Sequence, residues 1–305
     1  MTSIRDLDLK SLRLLVTVCD LQNMKLAAEQ EHIEPSAISK RIAQLEGQLG
    51  VRLLVRNRRG VRATPAGQVV VEHARGLLYG LNRLRADAAR FAGGIRGQVN
   101  LAASASAIAQ SLLDDLAAFM RLPENREITV NVDERLSSEL VRQVRDGSAS
   151  IGVCWDAIGF EALESRPYRR DELVLAVPEG HALASRRSVT FLESLAYDHV
   201  TLSPSTAVNT MLNRAAASAG AVVHSRAAVS NFDAALRVVV VNRYVSVVPR
   251  QVAERAARDG VRVVTLAEPW AHRRFGICFR SADGLSPAGA RLVEFLVAAA
   301  DGSSD

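Results

Sequence analysis

Lysine is almost missing from this chain of 305 residues: Lys10, Lys25 and Lys40 are the only three. A Gly-x-x-x-x-Gly-Lys phosphate loop therefore cannot lie beyond residue 40, and none precedes it. A lysine Schiff base is likewise excluded from the long C-terminal part. Cysteine is equally scarce. Cys19, Cys154 and Cys278 are odd in number, far apart and without a Cys-x-x-Cys pair. They read as small buried apolar residues, not as a disulfide framework or a structural zinc site. Long hydrophobic runs are absent too; the densest, from Val238 to Val248, is interrupted by Asn242 and Arg243 and falls short of the ~18 apolar residues of a membrane span. The opening Met1-Thr2-Ser3-Ile4-Arg5-Asp6 is charged and has no apolar signal core, so a cytoplasmic location is expected. Gly-x-Gly-x-x-Gly, Gly-x-Ser-x-Gly and His-Glu-x-x-His do not occur, and the six histidines stand singly. No catalysis, cofactor or metal is expected.

What is present is an average globular composition, 48% hydrophobic and 23% charged, at a length suited to about two domains. The net charge is +5, but its distribution says more. Lys40, Arg41, Arg52, Arg56, Arg58, Arg59 and Arg62 face a single acid, Glu46, within the window 40–62. A cationic patch on an otherwise balanced chain is what contact with a phosphate backbone requires.

Short helices fill the first sixty residues. Leu9, Leu12, Leu15, Val16 and Cys19 recur at helical spacing. Asn23 suits the cap of a second helix, from Met24 to about Glu31, with Leu26, Ala27 and Ala28 turned inward. After a break at His32 and Ile33, Pro35 opens a third helix with Ile38, Ile42 and Leu45 inward, ending near Gly50. Two short helices crossing on small alanines describe a helix-turn-helix. The runs 51–56 and 61–63 flank Asn57-Arg58-Arg59-Gly60, which predicts a hairpin, a wing beside the third helix.

A long helix is predicted from Thr64-Pro65 to about Phe91. Val70, Ala74, Leu77, Leu81, Leu84, Ala88 and Phe91 are spaced alternately four and three apart, a heptad seam suited to dimerisation, with packing on its own chain as the alternative. Gly93, Gly94 and Gly97 then free the chain. From there, strand candidates (99–103, 128–132, 151–154, 173–177, 199–202, 227–229, 245–248, 261–264 and 275–279) alternate with helical stretches such as 107–120, 137–145, 208–219 and 232–241. That order predicts an α/β domain of two small, mainly parallel sheets. Ser104 and Ser106 follow the first of these strands and open a helix, where hydroxyls and free N–H groups suit a carboxylate. Ser203, Ser205 and Thr206 repeat the arrangement after the strand 199–202. Each serves equally well as a cap or turn residue, and it is the pairing of two such strand ends that favours a ligand.

Leu26-Ala27-Ala28, His32-Ile33, Ser36-Ala37-Ile38-Ser39, Ile42, Leu45-Glu46, Leu49-Gly50, Leu53, Arg56 and Thr64-Pro65-Ala66-Gly67 resemble the N-terminal module of LysR-type transcriptional regulators. More loosely, Asp171 to Pro178 with His181, and Val245 to Pro249, resemble segments of that family's effector domain. The resemblance implies a winged helix-turn-helix over 1–63 and a linker and dimerisation helix over 64–93. It implies a periplasmic-binding-protein-like domain over 94–305, with subdomain I at 94–167 and 269–305 and subdomain II at 168–268. A small metabolite, often anionic, would sit between the subdomains and alter promoter binding and bending by a homodimer or homotetramer. Ser36, Ser39, Lys40 and Arg41 are the residues expected to enter the major groove. Arg56, Arg58, Arg59 and Arg62 are expected on phosphates, Thr64 on a phosphate or as a helix cap, and Asn23 joins this set. Asn231, Phe232 and Ser246 match positions where the family lines its pocket.

The sequence also departs from the family. Glu34 and Pro35 replace a usual serine and a base-contacting glutamine, Leu54 a phenylalanine, and Ser150 an aspartate. Asn242 and Tyr244 stand for two glycines, so a changed turn is expected there. A solute-binding protein and a serine–histidine enzyme are the rival readings. The charged N-terminus and basic helix-turn-helix oppose the first, and the absence of a nucleophile motif opposes the second.

Overall fold

The computed structural model describes residues 7–57, 60–90, 97–160 and 162–302. It divides into two compact units, one of residues 1–91 with 146–148 and one of the remainder. Of the expected site residues, Arg58, Arg59 and Phe91 lie outside the described residues, as do the side chains of Arg56 and Ala88.

In the first unit, Asp8 caps α1 (Leu9–Leu21), its Oδ1 accepting the Lys10 N–H at 2.7 Å. The Ser11 hydroxyl bonded to it, the backbone N–H groups and Arg41 hold the Asp8 carboxyl below the usual carboxylate range. Asn23 caps α2 (Met24–Gln30) by accepting from Lys25 N and Leu26 N, as its position predicts. α3 (Pro35–Leu49) begins with proline in its first turn and ends on Gly50, whose φ of 71° supplies the left-handed stop. Leu12, Leu15 and Val18 of α1 meet Ala27 and Ala28 of α2 and Ile38, Ile42 and Leu45 of α3 in one core. Burial of each leucine there contributes about 2 kcal/mol. Leu26 does not join them: it is 48% exposed, because the two alanines occupy the crossing and turn the next residue outward. Leu9 is likewise exposed, and the buried stripe of α1 runs through Leu14 instead.

β1 (Leu54–Asn57) and β2 (Gly60–Ala63) pair antiparallel as the expected wing, with Leu54 opposite Ala63. The single acid of the cationic window sets this wing in place. Glu46 Oε1 accepts the N–H groups of Leu53 at 2.7 Å and Leu54 at 3.1 Å, satisfying two donors where the chain leaves the helix for the strand. α4 (Pro65–Arg90) follows. Its seam is divided between two roles: Ala74 is buried in the head core beside Val71, which lies off the seam, and Val70 packs against that core, whereas Leu77 and Leu84 are 56% and 64% exposed.

The second unit is built on β3 (Gly97–Ala103), followed by α5 (Ala105–Ala107), a π-type turn (Ile108–Leu112) and α6 (Leu113–Arg121). Next come β4 (Ile128–Glu134), α7 (Ser137–Asp146), β5 (Ile151–Trp155), β6 (Glu164–Pro178), β7 (Ser188–Val189), α8 (Phe191–Ser194), β8 (His199–Leu202) and α9 (Ala207–Ser218). The chain closes with β9 (Ser225–Val229), α10 (Phe232–Asn242), β10 (Ser246–Pro249), α11 (Arg250–Arg255), β11 (Val261–Leu266), β12 (His272–Phe279) and α12 (Pro287–Asp301).

These strands do not form the mainly parallel sheets that alternation suggested. β3 pairs parallel with β4 and β5, and β8 with β9, but β12 runs antiparallel to β5 and β6, and β10 and β11 antiparallel to β6. The reason is β6, a strand of 15 residues. Its first part, Glu164–Glu172, pairs with β12, and its second, Leu173–Pro178, with β10 and β11. One strand thus belongs to two lobes. In the first lobe Val99, Leu101, Phe119, Ile151, Ile277 and Leu292 close the core; in the second, Leu173, Leu175, Val247, Val264 and Leu212 do so. In the turn after α10, Arg243 takes the left-handed position (φ 59°), its Nη2 donating to the Gly180 carbonyl at 3.2 Å.

A polar network lies where the lobes meet. Asp171 on β6 stands opposite Arg273 on β12 and pairs with it; both side chains are essentially inaccessible. The same carboxylate accepts from Gln110 Nε2, and Gln110 is the residue that leaves helical geometry in the π-type turn. Carbonyls released by that turn are held from the other lobe: Arg255 of α11 donates to Ala109 O at 3.0 Å and Gln110 O at 3.2 Å.

His199 opens β8 and is fully buried, with its Nε2 3.0 Å from Ser194 O. Desolvation lowers its pKa below the ordinary 6.5, and burial followed by the nearby Arg243 lowers that of His181. A depressed folded pKa means that the unfolded chain binds more protons, so this stability is present above pH ~6.5 and is lost as pH falls. The melting temperature of the second unit is expected to fall between pH 7 and about 5.5, less steeply in His199→Gln; identical slopes for both proteins would refute the assignment to His199.

Candidate nucleic-acid surface and ligand cleft

On the first unit, α3 presents Ser36, Ser39, Lys40 and Arg41 away from its buried face of Ile38, Ile42 and Leu45. Lys40 and Arg62 are exposed. Arg41 is already engaged, its Nη1 3.1 Å from Asp8 Oδ2. Asn23 and Thr64 both hold helix ends: Thr64 Oγ1 accepts the Gly67 N–H at 2.9 Å and donates to Arg52 O at 2.7 Å. The surface therefore combines an exposed helix start with an arginine-bearing wing.

In the second unit, a cleft of about 210 Å³ opens between the lobes. Ser104 and Ser106 line it from the first lobe, and Thr206 from the second, so two of the serine-rich strand ends do converge. Ser104 caps α5, and Thr206 caps α9 while donating to Ser203 O at 2.9 Å. Ser137 and Ser230 join them, with Trp155 at one end. Helix starts facing one cavity give it positive potential. Two arginines, Arg135 and Arg273, add to this, against the carboxylates of Glu134 and Glu139. Burial lowers the Arg273 pKa to about 9, which leaves it charged at neutral pH, and its Nε is a buried donor without a protein partner.

The remaining expected residues are placed elsewhere. Ser205 lines an adjoining chamber. Asn231 accepts the Ala234 N–H at 2.8 Å as the cap of α10, and Phe232 is packed in the core with Leu202 and Leu236. Ser246 is buried and donates to Val200 O at 2.8 Å. The sequence reading missed Arg273, Arg135 and Trp155; only strand pairing brings Arg273 to the cleft, 102 positions from Asp171. No cluster of three or more metal-ligating side chains occurs among the described residues, and no described helix is long and apolar enough to cross a membrane. Burial raises the thiol pKa of Cys19 to about 11 and of Cys278 to about 12, so neither is a ready nucleophile.

Two family models cover nearly the whole molecule. Residues 9–68 match the bacterial regulatory helix-turn-helix protein of the LysR family, and residues 92–301 match the LysR substrate binding domain. The chain belongs to the LysR family. It is 30% identical over 209 residues to an HTH-type transcriptional regulator of Mycobacterium tuberculosis, the match covering 66% of each chain. It is 27% identical over 169 residues to the nitrogen assimilation regulatory protein of Klebsiella aerogenes, covering 55% of each. The chain thus spans somewhat less than two thirds of the length of these relatives. Among solved structures, a full-length OxyR from Pseudomonas aeruginosa superposes with a TM-score of 0.70 at 20% identity, covering 98% of this chain and 96% of that one. CbnR, a LysR family transcriptional regulator, gives 0.66 at 21%, covering 96% and 99%. At such identities these likenesses concern the fold.

Proposed function

We propose that this regulator works in the cytoplasm on duplex promoter DNA, as a dimer or tetramer, and that a small organic anion between its lobes changes how it holds and bends that DNA. The head at 1–63 is the DNA-binding domain, 64–93 the linker, and 94–305 the effector domain, divided at 167/168 and 268/269. A structure similar in fold is CbnR complexed with its target DNA, at 23% identity and TM-score 0.56, covering 96% of this chain and 100% of that one. Ser36, Ser39, Lys40 and Arg41 would read bases, while Arg56, Arg58, Arg59 and Arg62 hold phosphates. Leu77 and Leu84, exposed on one stripe of α4, favour a second copy of the same helix as their cover. The observation that carries the ligand half is Arg273, a charged, buried donor with an unanswered Nε in the cleft wall. Because Asp171 already neutralises it and Glu134 and Glu139 stand nearby, a singly charged acid suits the cleft better than a phosphate.

Fluorescence anisotropy on the gene's own upstream DNA tests the DNA half. Affinity is expected to fall steeply as salt rises from about 50 to 200 mM. Arg62→Ala should weaken binding to all sequences alike and reduce the salt slope by about 1, whereas Lys40→Ala should cost about 1–3 kcal/mol on the preferred site. Affinity indifferent to salt would dismiss this reading.

A further inference from the structure

Beside the polar cleft lies a second, larger space of about 850 Å³. Its walls are of a different kind: Trp155 and Ile158 from the first lobe, Phe191, Leu195, Met211 and Trp270 from the second. Phe191 stands edge-on to Trp270, with ring centroids 5.5 Å apart. Ser137, Trp155 and Ala207 border both spaces, so the chamber and the cleft adjoin across the Trp155 side chain. Polar side chains interrupt the apolar wall, among them Thr210, Arg214 and the carboxylate of Glu268. Glu268 Oε1 accepts the Phe191 N–H at 2.6 Å, and its Oε2 is buried with no hydrogen-bond partner. A buried acceptor left unanswered is costly unless something supplies a donor.

The two spaces present opposite requirements: a donor without an acceptor at Arg273, and an acceptor without a donor at Glu268, separated by an apolar interior. We propose that the effector is an amphipathic acid. Its carboxylate occupies the cleft, its aromatic or alicyclic body fills the chamber beyond Trp155, and a hydroxyl or amino group at the far end donates to Glu268. Small aliphatic anions satisfy the cleft alone and leave about 850 Å³ of largely apolar space to water. The proposal rests on the anion-sensing reading above, and the two are separable by experiment.

Calorimetric titration of the full chain with acetate, succinate, phenylpropionate, its para-hydroxy derivative and the neutral phenylpropanol decides the matter. The aryl acids should bind at least about tenfold more tightly than acetate or succinate, and the hydroxylated acid more tightly than the plain one. Thr210 and Ala157 line the chamber at exposed positions, so Thr210→Trp or Ala157→Trp fills it without disturbing a core. Either should abolish the aryl advantage while sparing whatever affinity succinate has. Glu268→Gln should erase the preference for the hydroxyl. Equal affinity for succinate and the aryl acids, or aryl binding untouched by both tryptophan variants, overturns the amphipathic proposal and leaves anion sensing standing. Phenylpropanol binding as tightly as phenylpropionate upholds the chamber and overturns the anion. Binding by none of the five overturns both.

Discussion

Gly67→Ala is expected to unfold or severely loosen the head, at a cost of about 3 kcal/mol or more. A Cβ built at Gly67 falls 2.0 Å from the Leu53 carbonyl oxygen and 2.9 Å from its carbon. That carbonyl cannot retreat, because it also accepts the Thr64 N–H at 2.9 Å, and Leu53 N is tied to Glu46. The start of α4 is thus pressed onto the strand entry with no room for a methyl group. Gly76 in the same helix provides the control: nothing lies within 4 Å of its Cβ position, so Gly76→Ala should stabilise by about 1 kcal/mol. Far-UV circular dichroism follows the helices of both units, while Trp155 and Trp270, the chain's two tryptophans, report the second unit alone, so a circular dichroism transition without a tryptophan counterpart belongs to the head. The Gly67→Ala loss should appear in the first signal and leave the tryptophan transition in place. A Gly67→Ala protein as stable as wild type would remove the argument.

The second large effect is expected at Asp171. Asp171→Ala leaves the Arg273 guanidinium buried without its counter-charge and Gln110 without its acceptor. Breaking a buried pair from one side costs about 3–5 kcal/mol, whereas replacing both partners with apolar residues of similar volume is often near neutral. Tryptophan-monitored urea unfolding should therefore show a large loss for Asp171→Ala and substantial recovery in the double variant Asp171→Leu, Arg273→Met. That recovered protein should still fail to bind the acid ligand, which separates the pair's part in folding from its part in recognition. A loss below about 1 kcal/mol for the single variant would mean that the guanidinium finds water, and would weaken the ligand argument with it.

What the sequence made legible follows from the range of the interactions involved. The caps Asn23 and Thr64, the stop at Gly50 and the inward triad Ile38, Ile42 and Leu45 are local events, written within a few residues and readable there. The strand centres were visible for the same reason, as short β-branched runs. β6 was half visible: Leu173–Val177 is apolar, but Glu164 to Arg170 carries charge at alternate or adjacent positions and reads as loop, since only pairing with β12 makes it a strand. Helix α12 left a signal at Ser286-Pro287 that went unread, and its place over the first lobe is fixed by packing such as Phe119 against Phe295 at 5.4 Å. In the cleft, serines at strand ends could be inferred from position. Arg273 could not be, because its meaning depends on partners on another strand. Phe232 was expected in the pocket on the family resemblance alone, while the helix it begins packs the ring into the core.

The passage of β6 between the lobes has a mechanical consequence. Glu172 is still matched with His272 when Leu173 takes up Pro249, so the ladder is handed over without a free residue between. A swing of the clamshell kind needs slack backbone at its pivot, and β6 offers none at the Glu172–Leu173 handover, its irregularity lying back at 168–169 in the first lobe. If a ligand binds between the lobes as proposed, its arrival is expected as torsion along a stiff shared ribbon, a few degrees shed across many bonds, the action of a torsion bar more than of a jaw.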